Sequence, residues 1–356
     1  MCLDVFVVNS NVIRIDGSEG EGGGQILRTS LALSLLTHKP FQIFRIRARR
    51  RKPGLAPQHL QSIRAAASIS NSKVEGAALG SQEIYFEPGD VVRGSYRFDI
   101  GTAGSTTLVF QTICFPLAIR APGSSVVITG GTHVPRSPSF DYVLFQWLPW
   151  MKRLGYEFQL EMKRAGYDPK GGGEIMAGIG VHHKTTPPLI LEERGELTQI
   201  QVVSTYSNLE RHVGERQLKS AADLLREAGL RFSETLEEVP AIGAGCQLMI
   251  HAAYEQGSCA FTALGERGKP AEKVGEEAAL EFLEFHRDAG AVDYHLADQL
   301  LLPLAIQRKR CRYTFNKVSE HLLTNSNIVG KFLQTEIRIE GEPGKPGSVE
   351  IHPTTG

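Results

Sequence analysis

The segment from Ser319 to Asn325 places a histidine where a helix is predicted to begin. Ser319 is a suitable N-cap residue, and apolar residues at helical spacing follow His321. A helix N-terminus carries partial positive charge and unpaired N–H groups, so it attracts phosphate and disfavours a protonated imidazole. A neutral imidazole beside a phosphate is what a histidine nucleophile requires. The segment alone favours a histidine that merely tolerates a half-buried helix start, whereas the rest of the sequence favours the nucleophile.

A glycine-rich loop from Gly17 to Gly24 lies between a predicted strand and a predicted helix. Its glycines let backbone N–H groups approach and surround phosphate oxygens, although their spacing matches neither a P-loop nor a dinucleotide fingerprint. Glu21 would repel phosphate unless a divalent cation lay between them. The alternative is a tight turn with an exposed carboxylate. Arg28, about one helical turn past Gln25, favours the phosphate site.

The strongest basic cluster, Arg45 to Lys52, has six cationic side chains in eight residues and begins within a predicted strand, Phe41 to Ile46. Because alternate residues of a strand share a face, Arg45, Arg47 and Arg49 are expected to line one surface. Gln58 and His59 open the next predicted helix and could join them. Because the chain has 39 cationic and 39 anionic side chains, so dense a cluster favours an anion or nucleic-acid site over a solvated face.

A second predicted helix start offers groups that could bind a nucleotide. His295 has a ring that can stack, Asp298 a carboxylate that can accept from ribose hydroxyls, and Gln299 an amide that can read a base edge. The alternative is an ordinary helix N-terminus with a favourable acidic residue. Gln111 interrupts an apolar helix, and is either satisfied in the core or turned into a cleft.

Composition excludes several classes of protein. Hydrophobic residues make up 41% and charged residues 22%, as in ordinary soluble globular proteins. The five cysteines are scattered, which predicts reduced thiols and a cytoplasmic location. No apolar run approaches the roughly 18 residues of a membrane span, and residues 1–11 lack the features of a secretory leader.

The predicted elements repeat one order: strand, helix, strand, helix, strand, strand. The first copy runs from Ile13 to Phe86, the second from Tyr96 to Ile179, and the third from Ala297 to His352. The predicted fold class is therefore α+β, with three repeated units in a large domain and one inserted smaller α/β domain. The predicted domain limits are residues 1–192 for the first two units, 193–289 for the insert and 290–356 for the third unit.

Six motifs in order closely resemble the RNA 3′-terminal phosphate cyclase family. They are Glu21 to Arg28, Ile46 and Arg47 with Arg50 and Lys52 to Leu55, Gln58 to Leu60, Gly101 to Ser105, His295 to Gln299 and Ser319 to Asn325. The resemblance implies three α+β units with one insert, in agreement with the repeat. It also implies conversion of an RNA 3′-phosphate into a 2′,3′-cyclic phosphate, with ATP giving AMP and pyrophosphate.

The resemblance further implies a role for each matching position. His321 would attack the α-phosphorus of ATP and carry AMP, and Glu21 would hold Mg²⁺ or Mn²⁺ near the triphosphate. The expected RNA-phosphate ligands are Arg28, Arg47, Arg50, Gln58 and His59. The expected ATP or AMP ligands are Gln111, Pro138, His295, Leu296, Ala297, Asp298 and Gln299.

Two other functions remain as alternatives. Some family members are non-catalytic RNA-binding factors in ribosomal RNA maturation and lack the nucleophile, which this chain retains as His321. The other alternative is a regulator that adenylates itself without an RNA substrate, which the arginine-rich turn disfavours. Some members have tyrosine where His295 stands, so we expect a changed nucleotide affinity or pH dependence. The expected partners are RNA 3′-phosphate ends and ATP, with no membrane; protein partners are not predicted.

Overall fold

The structure is a computed structural model that describes residues 12–353. Four four-stranded sheets lie among the helices, so the predicted α+β class is confirmed. Residues 1–11, with Cys2 and the predicted absence of a leader, lie outside the described residues. The ends of the predicted domains, residues 1–11 and 354–356, do so too.

The first unit has the predicted order of elements. Its strand order is β1-β2-β4-β3, with β1 parallel to β2 and the other pairs antiparallel. The elements are β1 (Ile13–Asp16), α1 (Gly24–Thr37), β2 (Phe41–Phe44), α2 (Pro57–Ser68), β3 (Lys73–Glu75) and β4 (Ile84–Glu87).

The second unit repeats this topology as β5-β6-β8-β7. Its second helix, predicted as continuous, contains a π-helical turn over Val143–Trp147. The other elements are β5 (Ser95–Asp99), α3 (Thr106–Arg120), β6 (Ser124–Gly130), α4 (Phe140–Tyr142), α5 (Leu148–Arg153), β7 (Tyr156–Arg164) and β8 (Gly173–His182).

The third unit begins before the insert, which the sequence did not predict. A two-residue strand, β9 (Ile190–Leu191), pairs in parallel with the first long strand after the insert. The insert contains β10 (Leu197–Ser207), α6 (Arg211–Glu227), β11 (Ser233–Glu238), β12 (Gly245–Tyr254), β13 (Ser258–Leu264) and α7 (Ala271–Arg287). The unit then continues with α8 (Tyr294–Gln307), β14 (Cys311–Phe315), α9 (Glu320–Phe332), β15 (Thr335–Glu340) and β16 (Gly347–Pro353).

The strand order β9-β14-β16-β15 matches that of the first two units. The insert therefore follows the first strand of the third unit rather than the end of the second. A two-residue strand is too short to give an alternating pattern, which is why the sequence did not indicate it. The predicted limits of the domains at residues 192/193 and 289/290 stay a prediction.

The first helix of each unit is apolar on nearly all sides. In α1 an unbroken run from Ile26 to Leu35 contains only one incompletely buried residue, Arg28, and α3 and α8 are similarly apolar. Helices of this kind are stable only when other elements surround them. These three helices belong to one large hydrophobic cluster, whereas the insert has its own cluster around residues such as Val202, Leu248 and Phe282.

No helix among residues 12–353 is long and apolar enough to cross a membrane.

Close packing of α6 on α7 depends on Gly275. A Cβ atom at this position would lie 2.2 Å from the carbonyl oxygen of Gln217. We therefore expect Gly275→Ala to destabilise the protein by about 1–3 kcal/mol, because overpacking forces backbone movement. Gly330→Ala is the matched control, since a Cβ there meets nothing within 4 Å. In urea denaturation the control should be neutral or stabilising by up to about 1 kcal/mol. Equal stability of the two variants would contradict the packing argument.

Candidate active site

Four helix N-termini meet at one end of the large hydrophobic cluster. A Cβ atom on Gly24, which opens α1, would lie 2.4 Å from Nε2 of His59 in the first turn of α2. His321 opens α9 and influences the titration of His295 in the first turn of α8. Because the free N–H groups and positive dipole ends of these helices point toward one region, that region favours an anion.

The nucleophile candidate His321 lies at this end on a capped helix. The Ser319 hydroxyl accepts a hydrogen bond from the N–H of Leu322 at 3.1 Å, which confirms the predicted N-cap. The imidazole is 51% exposed, and its Nε2 lies 3.2 Å from Oε2 of Glu21. A reactive ring that solvent can reach, beside a carboxylate that can accept its proton, is suited to covalent catalysis.

The glycine-rich loop is held directly against α9. The N–H of Glu21 donates to the Thr324 hydroxyl at 3.2 Å. Gly20 has φ +55°, and a Cβ there would lie 2.1 Å from the same hydroxyl oxygen. Only glycine permits this backbone so close to α9, so the loop's composition fixes the distance between Glu21 and His321.

Arg28 lies on α1 and is half-buried beneath the glycine-rich loop. Its Nη2 donates to Oε1 of Gln25 at 3.1 Å. Burial lowers its pKa to about 10, although the carboxylates of Glu21 and Asp298 oppose that shift. Arg28 therefore remains charged near neutral pH, and the carboxyl groups of Glu21 and Asp298 replace part of its water. A charge already removed from water in this way can bind a phosphate without further desolvation.

The prediction that Arg45, Arg47 and Arg49 line one face of a strand is wrong. The strand ends at Phe44, and the backbone turns through positive φ at Arg45 and Arg47. Arg45 turns away to pair with Asp16 at 2.8 Å. Alternation along a strand requires extended backbone, which two left-handed residues interrupt.

The turn nevertheless brings two of the predicted phosphate ligands to the site. Arg50 donates from Nη2 to the carbonyl of Glu21 at 3.0 Å and lies 3.7 Å from its carboxylate. Arg47 is partly buried and donates to the carbonyl of Gly54 at 2.8 Å. Burial and the neighbouring Arg50 lower the pKa of Arg47. Both cations therefore lie beside the loop that carries Glu21.

His59 is buried beside these arginines and must be neutral. Its Nδ1 accepts a hydrogen bond from the N–H of Ala56 at 3.1 Å, so Nε2 carries the proton. Burial, Arg28 and Arg47 lower the pKa of His59 to about 3. A neutral imidazole with a protonated Nε2 can donate to a phosphate oxygen. Gln58, partly buried one residue earlier, lies against the loop that contains Gly104.

The segment predicted to bind a nucleotide begins at a strong N-cap, Asp293. Its Oδ1 accepts from the N–H groups of His295 and Leu296 at 3.0 and 2.8 Å. Burial raises the pKa of Asp293 to about 6, while the hydrogen bonds to its carboxylate oppose that shift. Tyr142 and Gln146 donate to the same carboxylate at 3.2 and 3.0 Å. This cap therefore fixes the position of the His295 backbone.

The His295 ring is exposed and lies 3.9 Å from the ring of Tyr294, centroid to centroid. Desolvation by neighbouring groups lowers the pKa of His295, and His321 and Lys317 lower it further. The exposed ring is neutral near physiological pH and can stack on a base. The exposed position of the ring is compatible with the predicted stacking on a nucleotide base, which stays a prediction.

Three polar residues of the predicted nucleotide set lie close together. Nε2 of Gln111 donates to Oε1 of Gln299 at 2.9 Å, so Gln111 faces α8 instead of an apolar core. Burial raises the pKa of Asp298 to about 8, against the opposing effect of Arg28. Asn325 on α9 donates to the Asp298 carbonyl at 3.0 Å and accepts from the Thr29 hydroxyl at 2.8 Å. Asn325 thus ties α1, α8 and α9 together.

The other three members of the predicted nucleotide set are buried or have backbone groups already bonded within the protein. The side chains of Leu296 and Ala297 are fully buried in the core. The Leu296 N–H is occupied by Asp293, and the Ala297 carbonyl accepts from Tyr313. Pro138 lies before α4, where its carbonyl accepts from the Thr107 hydroxyl at 2.7 Å. Leu296 and Ala297 therefore position α8, and Pro138 is hydrogen-bonded to α3.

Glu21 is the carboxylate predicted to hold a divalent cation. Among residues 12–353, no group of three or more His, Cys, Asp or Glu side chains is arranged to hold a metal. A single carboxylate still fits Mg²⁺ or Mn²⁺, because such ions usually take one or two carboxylates together with substrate phosphates and waters. Glu21 therefore fits Mg²⁺ or Mn²⁺ when the other ligands are supplied by a bound substrate phosphate and water.

The sequence comparisons decide the family. A model of the RNA 3′-terminal phosphate cyclase family matches residues 19–339, which is most of the chain. The chain belongs to the RNA 3′-terminal phosphate cyclase family. It is 40% identical over 348 residues to the RNA 3′-terminal phosphate cyclase of Methylococcus capsulatus, covering 96% of both chains. It is 44% identical over 330 residues to that of Archaeoglobus fulgidus, covering 93% of this chain and 98% of the other.

These relatives confirm the resemblance found in the sequence and the prediction that the chain is an enzyme of this family. The site also contains residues to which the sequence assigned no role. Thr324 and Asn325 belong to the motif from Ser319 to Asn325, but their contacts with α1 and the glycine-rich loop become visible only in three dimensions. Asp293 could have been found, since Asp directly before a helical pattern is a typical N-cap.

Burial of a neutral His59 makes the protein sensitive to acid. The folded pKa lies below the ordinary value of 6.5, so below pH 6.5 the unfolded chain binds a proton that the folded protein excludes. Stability is therefore lost as pH falls from 6.5 toward the folded pKa. Between pH 7 and pH 5, we expect the wild type to lose about 2 kcal/mol more stability than His59→Gln.

Urea denaturation at the two pH values measures this difference. Gln58→Ala, on the same helical turn but without a titrating group, is the control and should keep the acid sensitivity of the wild type. An unchanged pH dependence in His59→Gln would contradict the burial of a neutral imidazole.

Proposed function

We propose that this enzyme converts an RNA 3′-phosphate end into a 2′,3′-cyclic phosphate through a covalent histidine–AMP intermediate, with ATP consumed. The observation that carries the proposal is the position of His321. Its exposed ring lies 3.2 Å from Glu21, at the meeting point of four helix N-termini and beside Arg28 and Arg50. The name shared by the relatives from three different organisms supports the same reaction.

In the first step, a ring nitrogen of His321 attacks the α-phosphorus of ATP. A nitrogen–phosphorus bond forms, the bond from the α-phosphorus to the oxygen that bridges it to the β-phosphorus breaks, and pyrophosphate leaves. If Nε2 is the attacking atom, the ring reacts as the neutral tautomer with its proton on Nδ1, so Nε2 has a free lone pair and the ring keeps the proton that it needs on release. The carboxylate of Glu21 lies beside this nitrogen. The helix N-terminus and the arginines stabilise negative charge on the phosphates.

In the second step, an oxygen of the RNA 3′-phosphate attacks the phosphorus of the bound AMP. The nitrogen–phosphorus bond breaks and His321 is released as a neutral imidazole. The neighbouring 2′-hydroxyl then attacks the activated 3′-phosphorus, and the bond from that phosphorus to the oxygen of AMP breaks. AMP leaves, and the hydroxyl proton passes to water. Activation is required because a phosphate monoester is a poor electrophile, whereas AMP is a good leaving group.

The side chains around His321 divide between two substrates in this proposal. Arg28, Arg47, Arg50 and the Nε2–H of His59 hold the terminal RNA phosphates, with Gln58 beside them. His295, Asp298, Gln299 and Gln111 bind the nucleotide. Mg²⁺ or Mn²⁺ held by Glu21 and the phosphate oxygens would neutralise charge on the triphosphate. We further propose a cytoplasmic location, supported by four buried cysteines without disulfides among residues 12–353.

A non-catalytic RNA-binding role is the second candidate. It would need the arginine cluster but neither a reactive histidine nor an adjacent carboxylate. The close approach of Glu21 to His321 favours the enzyme, because Gly20 permits a left-handed backbone that brings the loop against α9.

Incubation with α-labelled ATP and Mg²⁺ or Mn²⁺, without RNA, tests the first step. We expect an acid-labile, alkali-stable label on the denatured protein that is reduced at least ~100-fold in His321→Ala, since no other ring replaces the nucleophile. His183→Ala, which removes an exposed histidine paired with Glu157, is the control and should label normally.

Addition of RNA with a 3′-phosphate should discharge the label and yield a cyclic end. A protein that takes no label with either metal would contradict the catalytic proposal and favour the RNA-binding relative. A label that RNA does not discharge would instead support self-adenylation.

A further inference from the structure

A cavity of about 710 Å³ lies at the opposite end of the central helices from His321. It is lined by the C-terminal ends of α1, α3, α8 and α9. Since α1 and α8 each have 14 residues, the cavity lies roughly 20 Å from the N-terminal ends that form the active site. It is therefore a separate site, and the proposed reaction does not use it.

The cavity repeats one pattern three times. Leu36, Ile119 and Ile306 come from the last turns of the first helices of the three units, and all three are partly buried. A cation follows each of them within three residues, as Lys39, Arg120 and Arg308. The threefold repeat thus builds an apolar floor surrounded by positive charge.

The lining is strongly one-sided in charge. It contains Lys39, Arg120, Lys184 and Arg308, and no Asp or Glu. Because the chain as a whole has equal numbers of cationic and anionic side chains, this local excess is a property of the cavity. The surrounding field favours an anion.

Helix C-termini are negative, so part of this charge has a structural role. Lys39 donates to the carbonyl of Phe332 at 2.7 Å, and Arg120 donates to that of Leu36 at 2.7 Å. These two cations compensate the helix ends. Within residues 12–353, the exposed side chains of Lys184 and Arg308 make no hydrogen bond or ion pair, so their charges are available to a ligand.

We propose that this cavity is a second binding site, for a phosphate-bearing small molecule of nucleotide size. Lys184 and Arg308 bind the phosphate, and Leu36, Ile119 and Ile306 contact the apolar face of the rest of the ligand. The volume lies within the range of ligand pockets, about 300–1,000 Å³. The inference is independent of the proposed reaction.

Differential acetylation of the full-length protein tests the site directly, with AMP as the probe. Lysine modification is measured by mass spectrometry with and without AMP. We expect AMP to slow the modification of Lys184 several-fold and to leave Lys219, an exposed lysine of the insert, unchanged. Unchanged reactivity of Lys184 would overturn the proposal, and equal protection by inorganic sulfate would reduce the site to one for any small anion.

Calorimetric titration with AMP separates this cavity from the active site. We expect two binding events in the wild type. The double variant Lys184→Glu/Arg308→Glu should weaken one of them ~10-fold or more, because charge-assisted hydrogen bonds to phosphate are lost. Lys219→Glu/Arg231→Glu carries the same charge change on the insert and should retain both events.

His295→Ala, which removes an exposed ring of the proposed nucleotide set, should weaken the other event and keep the protection of Lys184. Loss of that protection in His295→Ala would assign AMP binding to the active site alone and overturn the proposal. An equal effect of the two double variants would also overturn it, since nonspecific attraction would then explain the binding.

Discussion

The architecture depends on one packing constraint: the first helix of each unit is apolar on nearly all sides and must be surrounded. Three such helices satisfy this requirement by packing with their neighbours into a common core. The large hydrophobic cluster, which contains residues of all three helices, is that core. The N-termini of α1, α2, α8 and α9 consequently meet at one end of that core. Their positive ends and free N–H groups form an anion-binding region before any side chain is considered. The loops that precede these helices then need to supply only a few side chains.

The charges placed in that region balance each other closely. Arg28 has Glu21 and Asp298 as neighbours, and its pKa is lowered by burial only to about 10, so it remains a cation. Asp298 is less well compensated, because burial raises its pKa to about 8. Without ligand, Asp298 therefore carries a proton much of the time at neutral pH. A cation or hydrogen-bond donor brought by a ligand would favour the charged carboxylate, so binding and proton release are coupled there.

Structure follows from sequence where one local pattern determines one local structure. Ser319 caps α9, and the repeated order of strands and helices is visible from apolar periodicity. Structure departs from the pattern where backbone conformation overrides it. The arginines after Phe44 had suitable alternation, but left-handed backbone at Arg45 and Arg47 turns the chain out of the sheet. Contacts between distant segments, such as that of Glu21 with His321, do not follow from spacing, because 300 residues separate the two positions. The family resemblance implied only that both residues act on the same ATP.

The insert contributes to the active site through Asp293. Gln146, in the π-helical turn, donates from Nε2 to Asp293 and also to the carbonyl of Ser258 on β13. The Ser258 hydroxyl in turn donates to Gln146 and accepts from Trp150. The π-helical turn has about one more residue than an α-helical turn, which changes the side chains that face one direction. Here Tyr142 and Gln146 both reach the carboxylate of Asp293.

A buried carboxylate costs several kcal/mol unless donors surround it. The donors of Asp293 come from the second unit, from α8 and, through the backbone of Ala260, from β13 of the insert. The insert also holds Gln146 in place. Displacement of β13 relative to the second unit would therefore weaken the cap of α8 and disturb the backbone that carries His295. The insert, in which the sequence showed no concentrated chemistry, thus acts on the site mechanically, through the hydrogen bonds that fix one helix N-terminus.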